Sequence, residues 1–186
     1  MDFIMRAFED ADAVPFAQAV NQSLDTLLPW MTWAHKNYTE DEARLWFHLT
    51  HLQRQQGTAN EMGLFAADGR LLGGAGLRYS SNPLIPTSIG YWVHSNEQRQ
   101  GIASEAVRRL VASAFSQPDI DVVEILVAER NIASRSVAEK VGAKIIAIRY
   151  GLIVLDNGPV STVIYHLNRP SSDESEDGIA RESRLI

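Results

Sequence analysis

Apolar residues recur along this chain with two periods, and the switches between those periods divide it into elements. After a short alternating start, Phe16, Val20, Leu24 and Leu27 follow helical spacing, and the run stops before Pro29, which cannot continue a helix interior. Thr39 with Glu42 three residues later forms a capping-box pattern, which Leu45, Trp46, Leu49 and Leu52 extend into a second amphipathic helix. Gly63 to Ala67 and Leu71 to Leu77 flank Asp68-Gly69, the strongest hairpin signal in the chain. Thr87 to His94 reads as a further strand, Val107, Leu110, Val111, Ala114 and Phe115 as one helical stripe, and Val122 to Val127 as a β-branched strand. Strand, helix and strand in that order predict a right-handed crossover between parallel neighbours. Asn131 can cap a helix that ends near Gly142, and Lys144 to Leu155 and Val160 to Leu167 enclose a second hairpin turn, Asp156-Asn157-Gly158. Hairpins at both ends with one crossover between them predict an α/β chain of mixed, α+β-like character, its sheet covered by helices.

Composition narrows this picture. At 186 residues, 45% hydrophobic and 22% charged, the chain can bury one sizeable core, and we expect one domain over residues 1–169. Residues 170–186 are polar and acidic, and are expected to be a disordered tail outside the chemistry. Half of the net charge of −6 lies in Ser171 to Ile186, so the body is mildly acidic. That balance disfavours nucleic acid and suits an amine-bearing partner. Cysteine is absent, which removes disulfides, thiolate metal sites and a cysteine nucleophile, and fits a reducing cytoplasm. No apolar run reaches the roughly 18 residues of a membrane span, so no membrane partner is expected. His48 and His51 share the second helix with no cysteine or carboxylate at a metal-ligand interval, which predicts surface histidines and no metal.

The chemistry-bearing segment runs from Ser88 to Ser104. A strand, Ile89-Gly90-Tyr91-Trp92-Val93, passes through the polar loop Gln98-Arg99-Gln100-Gly101 into a helix opened by Ile102, Ala103 and Ser104. The first backbone N–H groups of a helix have no internal partner, and the helix dipole adds partial positive charge, so such a junction can hold an anion. Gly101 permits close approach of a phosphate, Arg99 adds charge and Gln98 a neutral donor. On these residues alone an ordinary turn is the favoured reading. Gly73-Gly74-Ala75-Gly76 lacks the Lys-Ser or Lys-Thr of a phosphate loop, and a bulge or a close backbone contact explains glycines inside a strand. Trp30 and Trp33, three apart in a loop or short helix, serve either core packing or a substrate entrance.

Gln98-x-x-Gly101-x-Ala103 after a strand, followed by Asn131-x-x-Ser134 and Gly142, resembles the pyrophosphate signature of the GNAT superfamily of N-acetyltransferases. Leu28-Pro29-Trp30-Met31-Thr32-Trp33, Ile89-Gly90-Tyr91-Trp92-Val93, the segment Asn131 to Ala138 and Asp156-Asn157-Gly158 resemble the branch that acetylates N-terminal alanine and serine of ribosomal proteins. The resemblance spans roughly Phe3 to Leu167. It implies a splayed, mixed, mostly antiparallel sheet with helices on both faces, acetyl-CoA inserted between the strand ending near Val93 and the strand Val122 to Val127, and direct acetyl transfer to a primary amine. It implies that residues 98–104 hold the pyrophosphate, that a backbone N–H at about Val93 or His94 polarises the thioester carbonyl, and that Ser134 stabilises or protonates the thiolate. Asn131 would touch the pantetheine arm or cap its helix, and Trp30, Trp33 and Tyr91 would face the acceptor. Ala138 excludes the tyrosine acid that many relatives carry at this position.

The acceptor half departs from the pattern. Ser88 stands where relatives often carry glutamate, and Val160-Ser161-Thr162 replaces a His-Asp pair. Glu97, an acid on the first helices, a water-mediated base or His94 are the candidates left for taking the amine's proton. A protein α-amino group is the expected acceptor. A small-molecule amine and a binding module without catalysis are the alternatives, in a cytoplasmic monomer or homodimer.

Overall fold

The computed structural model describes residues 2–171. Its strands are β1 (Phe3–Arg6), β2 (Ala59–Ala66), β3 (Leu71–Arg78), β4 (Thr87–Val93), β5 (Val122–Ala128), β6 (Lys144–Leu155) and β7 (Gly158–Asn168). They form one sheet in the order β1-β2-β3-β4-β5-β7-β6, antiparallel except for the parallel pair β4–β5. Helices α1 (Ala13–Gln22), α2 (Leu24–Leu27), α3 (Glu40–Gln56), α4 (Ile102–Phe115) and α5 (Ile132–Lys140) complete the described chain. Of the expected acidic tail, residues 172–186 lie outside the described range.

Two apolar cores flank the sheet. One packs Ile102, Ala106, Val107 and Leu110 of α4, with Ala138 of α5, against Leu77, Ile89, Val123 and Ile125. The other packs Phe16 and Val20 of α1 and Phe47 of α3 against Phe8, Phe65 and Leu71. The mixed sheet with helices on both faces is therefore the one expected, and the crossover from β4 through α4 to β5 joins parallel neighbours. Turn chemistry acts where it was read: Gly69 takes φ 87 in the β2–β3 hairpin, and Gly142 takes φ 88 after α5.

Two helical expectations are corrected. The run Phe16 to Leu27 is not one helix, because Ser23 (φ −117) separates α1 from α2 and its Oγ accepts from the backbone N–H of Ser95 at 3.0 Å. In α3 the capping box forms as read, but Leu45, Leu49 and Leu52 are exposed while Ala43, Phe47 and Thr50 face the core. The periodicity was right and its phase was wrong: Phe47 wins the interior by stacking on Phe8 at 4.6 Å. His48 and His51 are exposed, as expected.

Candidate active site

Strands β4 and β5 pair at Thr87–Val123 and Ser88–Glu124 and then part. Along the rest of its length β5 stays paired with β7, and β4 with β3. The β2–β3 register shifts between Leu64 and Phe65, opposite Gly73, which itself lies opposite Val93. A bulge increases local twist, and it lies at the end of β4 that is already unpaired from β5, five residues beyond Ser88. Gly73 is required there: its φ is 156, and a Cβ would sit 2.1 Å from the Trp92 carbonyl oxygen. The N–H of His94 donates to the Leu72 carbonyl at 2.8 Å. Because successive residues of a strand direct their N–H groups to opposite edges, the Val93 N–H faces the gap. Of the two expected donors, His94 is thus already committed and Val93 is free.

At the far end of β4 the polar loop turns sharply into α4. Arg99 (φ 61) and Gly101 (φ 80) both occupy the left-handed region, and turns of this kind aim successive N–H groups into one concavity. Gly101 is the N-cap of α4 and supplies no side-chain cap, so the N–H groups of residues 102–104 have no acceptor from it. Gln98, Arg99 and Gln100 are exposed around this terminus, and no acidic side chain pairs with Arg99 among the described residues. A positive helix end with an uncommitted arginine fits a pyrophosphate. Glu97 instead pairs with Arg70 and accepts from Gln100 Nε2 at 3.3 Å, which turns it toward this loop.

Across the gap, Asn131 caps α5: its Oδ1 accepts from the N–H of Ser134 at 3.3 Å. The capping alternative for Asn131 is therefore realised. Ser134 is also tied to β4, because Tyr91 Oη donates to its carbonyl at 2.9 Å and lies 3.0 Å from its Oγ. Since the phenol has a single proton, the Ser134 hydroxyl is left to donate to Tyr91 Oη. Burial pushes the Tyr91 phenol up to about 12, partly offset by the Ser134 hydrogen bond, and so keeps it neutral. Tyr91 was expected on the acceptor side; its hydroxyl instead joins Ser134.

A cavity of about 470 Å³ runs from Asn131, Ser134 and Val127 through the gap at Tyr91 to an aromatic wall that includes Trp30, Trp33 and Tyr38. Trp33 meets Trp92 edge-on at 5.8 Å and also lines the cavity. Burial pushes the Tyr38 phenol up to about 12, so this wall is uncharged. Of the candidate bases, His94 is buried, its Nδ1 accepts from the Asn96 N–H at 3.1 Å, and its Nε2 therefore donates to Gln22 Oε1 at 3.0 Å. Both ring nitrogens hold loops together. The acid that does line the cavity is Glu61 on β2, beside Arg78 and Ser88. It was passed over because β2 was expected to start at Gly63; the alternation of Ala59, Glu61 and Gly63 on one face was the signal. Among the described residues no cluster of three His, Cys, Asp or Glu side chains could hold a metal ion, and no helix is long and apolar enough to cross a membrane.

Comparison with known proteins adds three findings. Residues 2–144 match the profile of the acetyltransferase (GNAT) domain family. The chain is 30% identical over 140 residues to YdaF of Bacillus subtilis (strain 168), whose name assigns it to ribosomal N-acetylation; the match covers 74% of this chain and 75% of YdaF. Among solved structures, the microcin C7 self-immunity acetyltransferase MccE, in complex with acetyl-CoA and AMP, superposes with a TM-score of 0.83 at 16% identity, covering 90% of this chain and 93% of that one. The ribosomal L7/L12 α-N-protein acetyltransferase RimL, in complex with coenzyme A, gives 0.80 at 20%, covering 89% and 93%. At these identities the two structures speak for the fold alone.

Proposed function

Because the chain belongs to the GNAT acetyltransferase family, we propose that it transfers an acetyl group from acetyl-CoA directly to a primary amine, with the α-amino group of a protein as acceptor. The observation that carries this reading is the continuity of the site. One cavity joins Asn131 and Ser134 to the aromatic wall where β4 and β5 part, and the uncapped end of α4 follows β4 in the chain.

In this reading the N–H groups of residues 102–104, with Gln98, Arg99 and Gln100, hold the pyrophosphate. Acetyl-CoA supplies the thioester whose carbonyl carbon the amine attacks. The Val93 N–H, freed by the strand's alternation, donates to the oxygen that gains charge. The Ser134 hydroxyl, which donates to Tyr91 Oη in the free site, turns to donate to the leaving sulfur, while Tyr91 keeps its own proton and its hydrogen bond to the Ser134 carbonyl. Asn131 sets the start of α5 and with it the height of Ser134. An α-amino group, with a pKa near ~8, is already partly neutral at pH 7, whereas a lysine near ~10.4 would demand a stronger base. The relation to YdaF supports a protein N-terminus as acceptor.

A second reading, acetylation of a small amine, draws on the cavity, whose volume of about 470 Å³ falls within the range of small-molecule sites. Thiol release from acetyl-CoA, measured against Ala- and Ser-initiated peptides and against polyamines, separates the two. Faster turnover of peptides supports the α-amino reading and faster turnover of polyamines the second. Acetyl-CoA binding without thiol release from either set would refute both and favour a binding module.

A further inference from the structure

Gly74, Gly76 and Gly90 line up along one face of β3 and β4, and the side chains of Trp92, Glu61 and Arg78 occupy the space above them in turn. Glu61 of β2 lies directly opposite Gly76, which lies opposite Gly90, so all three share a face of the sheet. A Cβ on Gly76 would sit 2.1 Å from Glu61 Oε2, and one on Gly90 would sit 3.1 Å from Arg78 Nη2. The glycines form a trough in which the Glu61–Arg78 pair lies flat across the sheet, with Arg78 Nε donating to Glu61 Oε1 at 2.9 Å. Glu61 is buried, lines the cavity, and its Oε2 carries no hydrogen bond among the described residues. The other cation near this residue, Arg54, gives its Nη2 to the Glu61 carbonyl at 2.6 Å and to Asn60, while its buried Nη1 has no hydrogen-bond partner among the described residues. Arg78 occupies the position on β3 opposite Ser88.

We infer that Glu61 is the acceptor-side carboxylate of this site: its free Oε2 binds the ammonium of the incoming primary amine and accepts the proton that must leave before the nitrogen attacks. The inference rests on the acetyl-transfer reading above and names the group that receives the substrate. A single carboxylate in a wall of Trp30, Trp33, Tyr38 and Trp46 offers a cation both a counter-charge and aromatic faces. One N–H proton passes to Oε2. The N–C bond then forms as the C–S bond breaks, the nitrogen sheds its second proton, and the thiolate takes one up. Each acetyl group moved from an ammonium state thus releases one proton to solvent.

Glu61→Gln keeps the shape that fills the trough and removes the charge. For an Ala-initiated hexapeptide we expect kcat/KM to fall about 10- to 100-fold, mainly through KM, as when a charge-assisted hydrogen bond is lost. Acetyl-CoA affinity, measured by calorimetry, should stay within about twofold of the wild type. Arg78→Met, which removes the competing cation, should lower KM. A kcat/KM within about twofold of wild type for Glu61→Gln, or a rise in KM for both variants, would overturn the inference. Its failure is distinguishable from failure of the acetyl-transfer reading, in which the wild type itself would release no thiol. In that event binding of the same hexapeptide with a trimethylated N-terminus decides: equal affinity for wild type and Glu61→Gln overturns the ammonium site, and loss in the variant supports it.

Discussion

Gly101 allows the anion site to be tested by charge at constant backbone strain. Its φ of 80 places it in the left-handed region, and a Cβ built there meets nothing within 4 Å. Alanine and glutamate at this position therefore pay the same conformational cost, about 1–2 kcal/mol, with no added clash. For a chain of this size that is a loss of roughly 2–8 °C in Tm. The two variants differ in charge. A carboxylate about 5 Å from a phosphate at an effective dielectric of about 20 is repelled by about 3 kcal/mol per phosphate charge. Screening at an exposed loop reduces this to about 1–2 kcal/mol at physiological salt. Gly101→Glu should then bind CoA about 5- to 30-fold more weakly than Gly101→Ala, and the ratio should shrink as salt is added. Calorimetric titration of both variants with CoA at low and high salt measures the ratio. Equal affinities at low salt would place the pyrophosphate elsewhere and remove the function assigned to the loop.

Three further outcomes are expected. Ser134→Ala should lower kcat about 10- to 100-fold with little change in acetyl-CoA affinity, and Tyr91→Phe should cost less and add nothing once Ser134 is alanine. Additive losses in steady-state kinetics would show that the two hydroxyls act apart. With its phenol raised from 10 to about 12 by burial, Tyr91 contributes stability that is fully present below pH 10 and is lost as pH rises through about 12. The stability difference between wild type and Tyr91→Phe in urea melts should therefore be flat from about pH 6 to 9; a difference that shrinks across that window would refute the raised phenol. Asn131→Ala should cost about 1 kcal/mol as a lost N-cap and should also lower turnover, because Ser134 loses its anchor. Thermal melts and kinetics on the same sample check both effects.

What could be read in the sequence was governed by local chemistry. The Asp68-Gly69 turn, the Thr39–Glu42 capping box, the Asn131 cap and the left-handed Gly142 are each decided within a few residues, and they formed as read. So did the order of strand, polar loop and helix around Gly101, on which the proposed anion site rests. Most of what was missed was decided at long range. Ser23 breaks a helix because its hydroxyl receives an N–H from Ser95, 72 residues away. In α3 two apolar stripes compete, and the positions of Phe8 and Phe16 select Phe47 over Leu45 and Leu49. His94 looked like a free imidazole beside the cofactor until Gln22 and Asn96 claimed both nitrogens. Tyr91 could be placed on its strand, but which partner its hydroxyl would find depended on where α5 docks. Glu61 was hidden by a boundary error of four residues in β2.

The parting of β4 from β5 makes this sheet a seam as well as a site. Backbone pairing across it is limited to two residue pairs, and further cohesion between the two halves comes from the apolar contacts beneath α4 and from the hydrogen bonds of Tyr91 to Ser134. A molecule that bridges the seam in the folded chain and has no place on the unfolded one lends its binding free energy to the fold, by about 2.7 kcal/mol at a hundred times its Kd. The chain's resistance to heat and to proteolysis is therefore a readout of seam occupancy, available without following any reaction. A ladder of CoA fragments, scored by melting temperature alone, would report which part of the ligand closes the sheet.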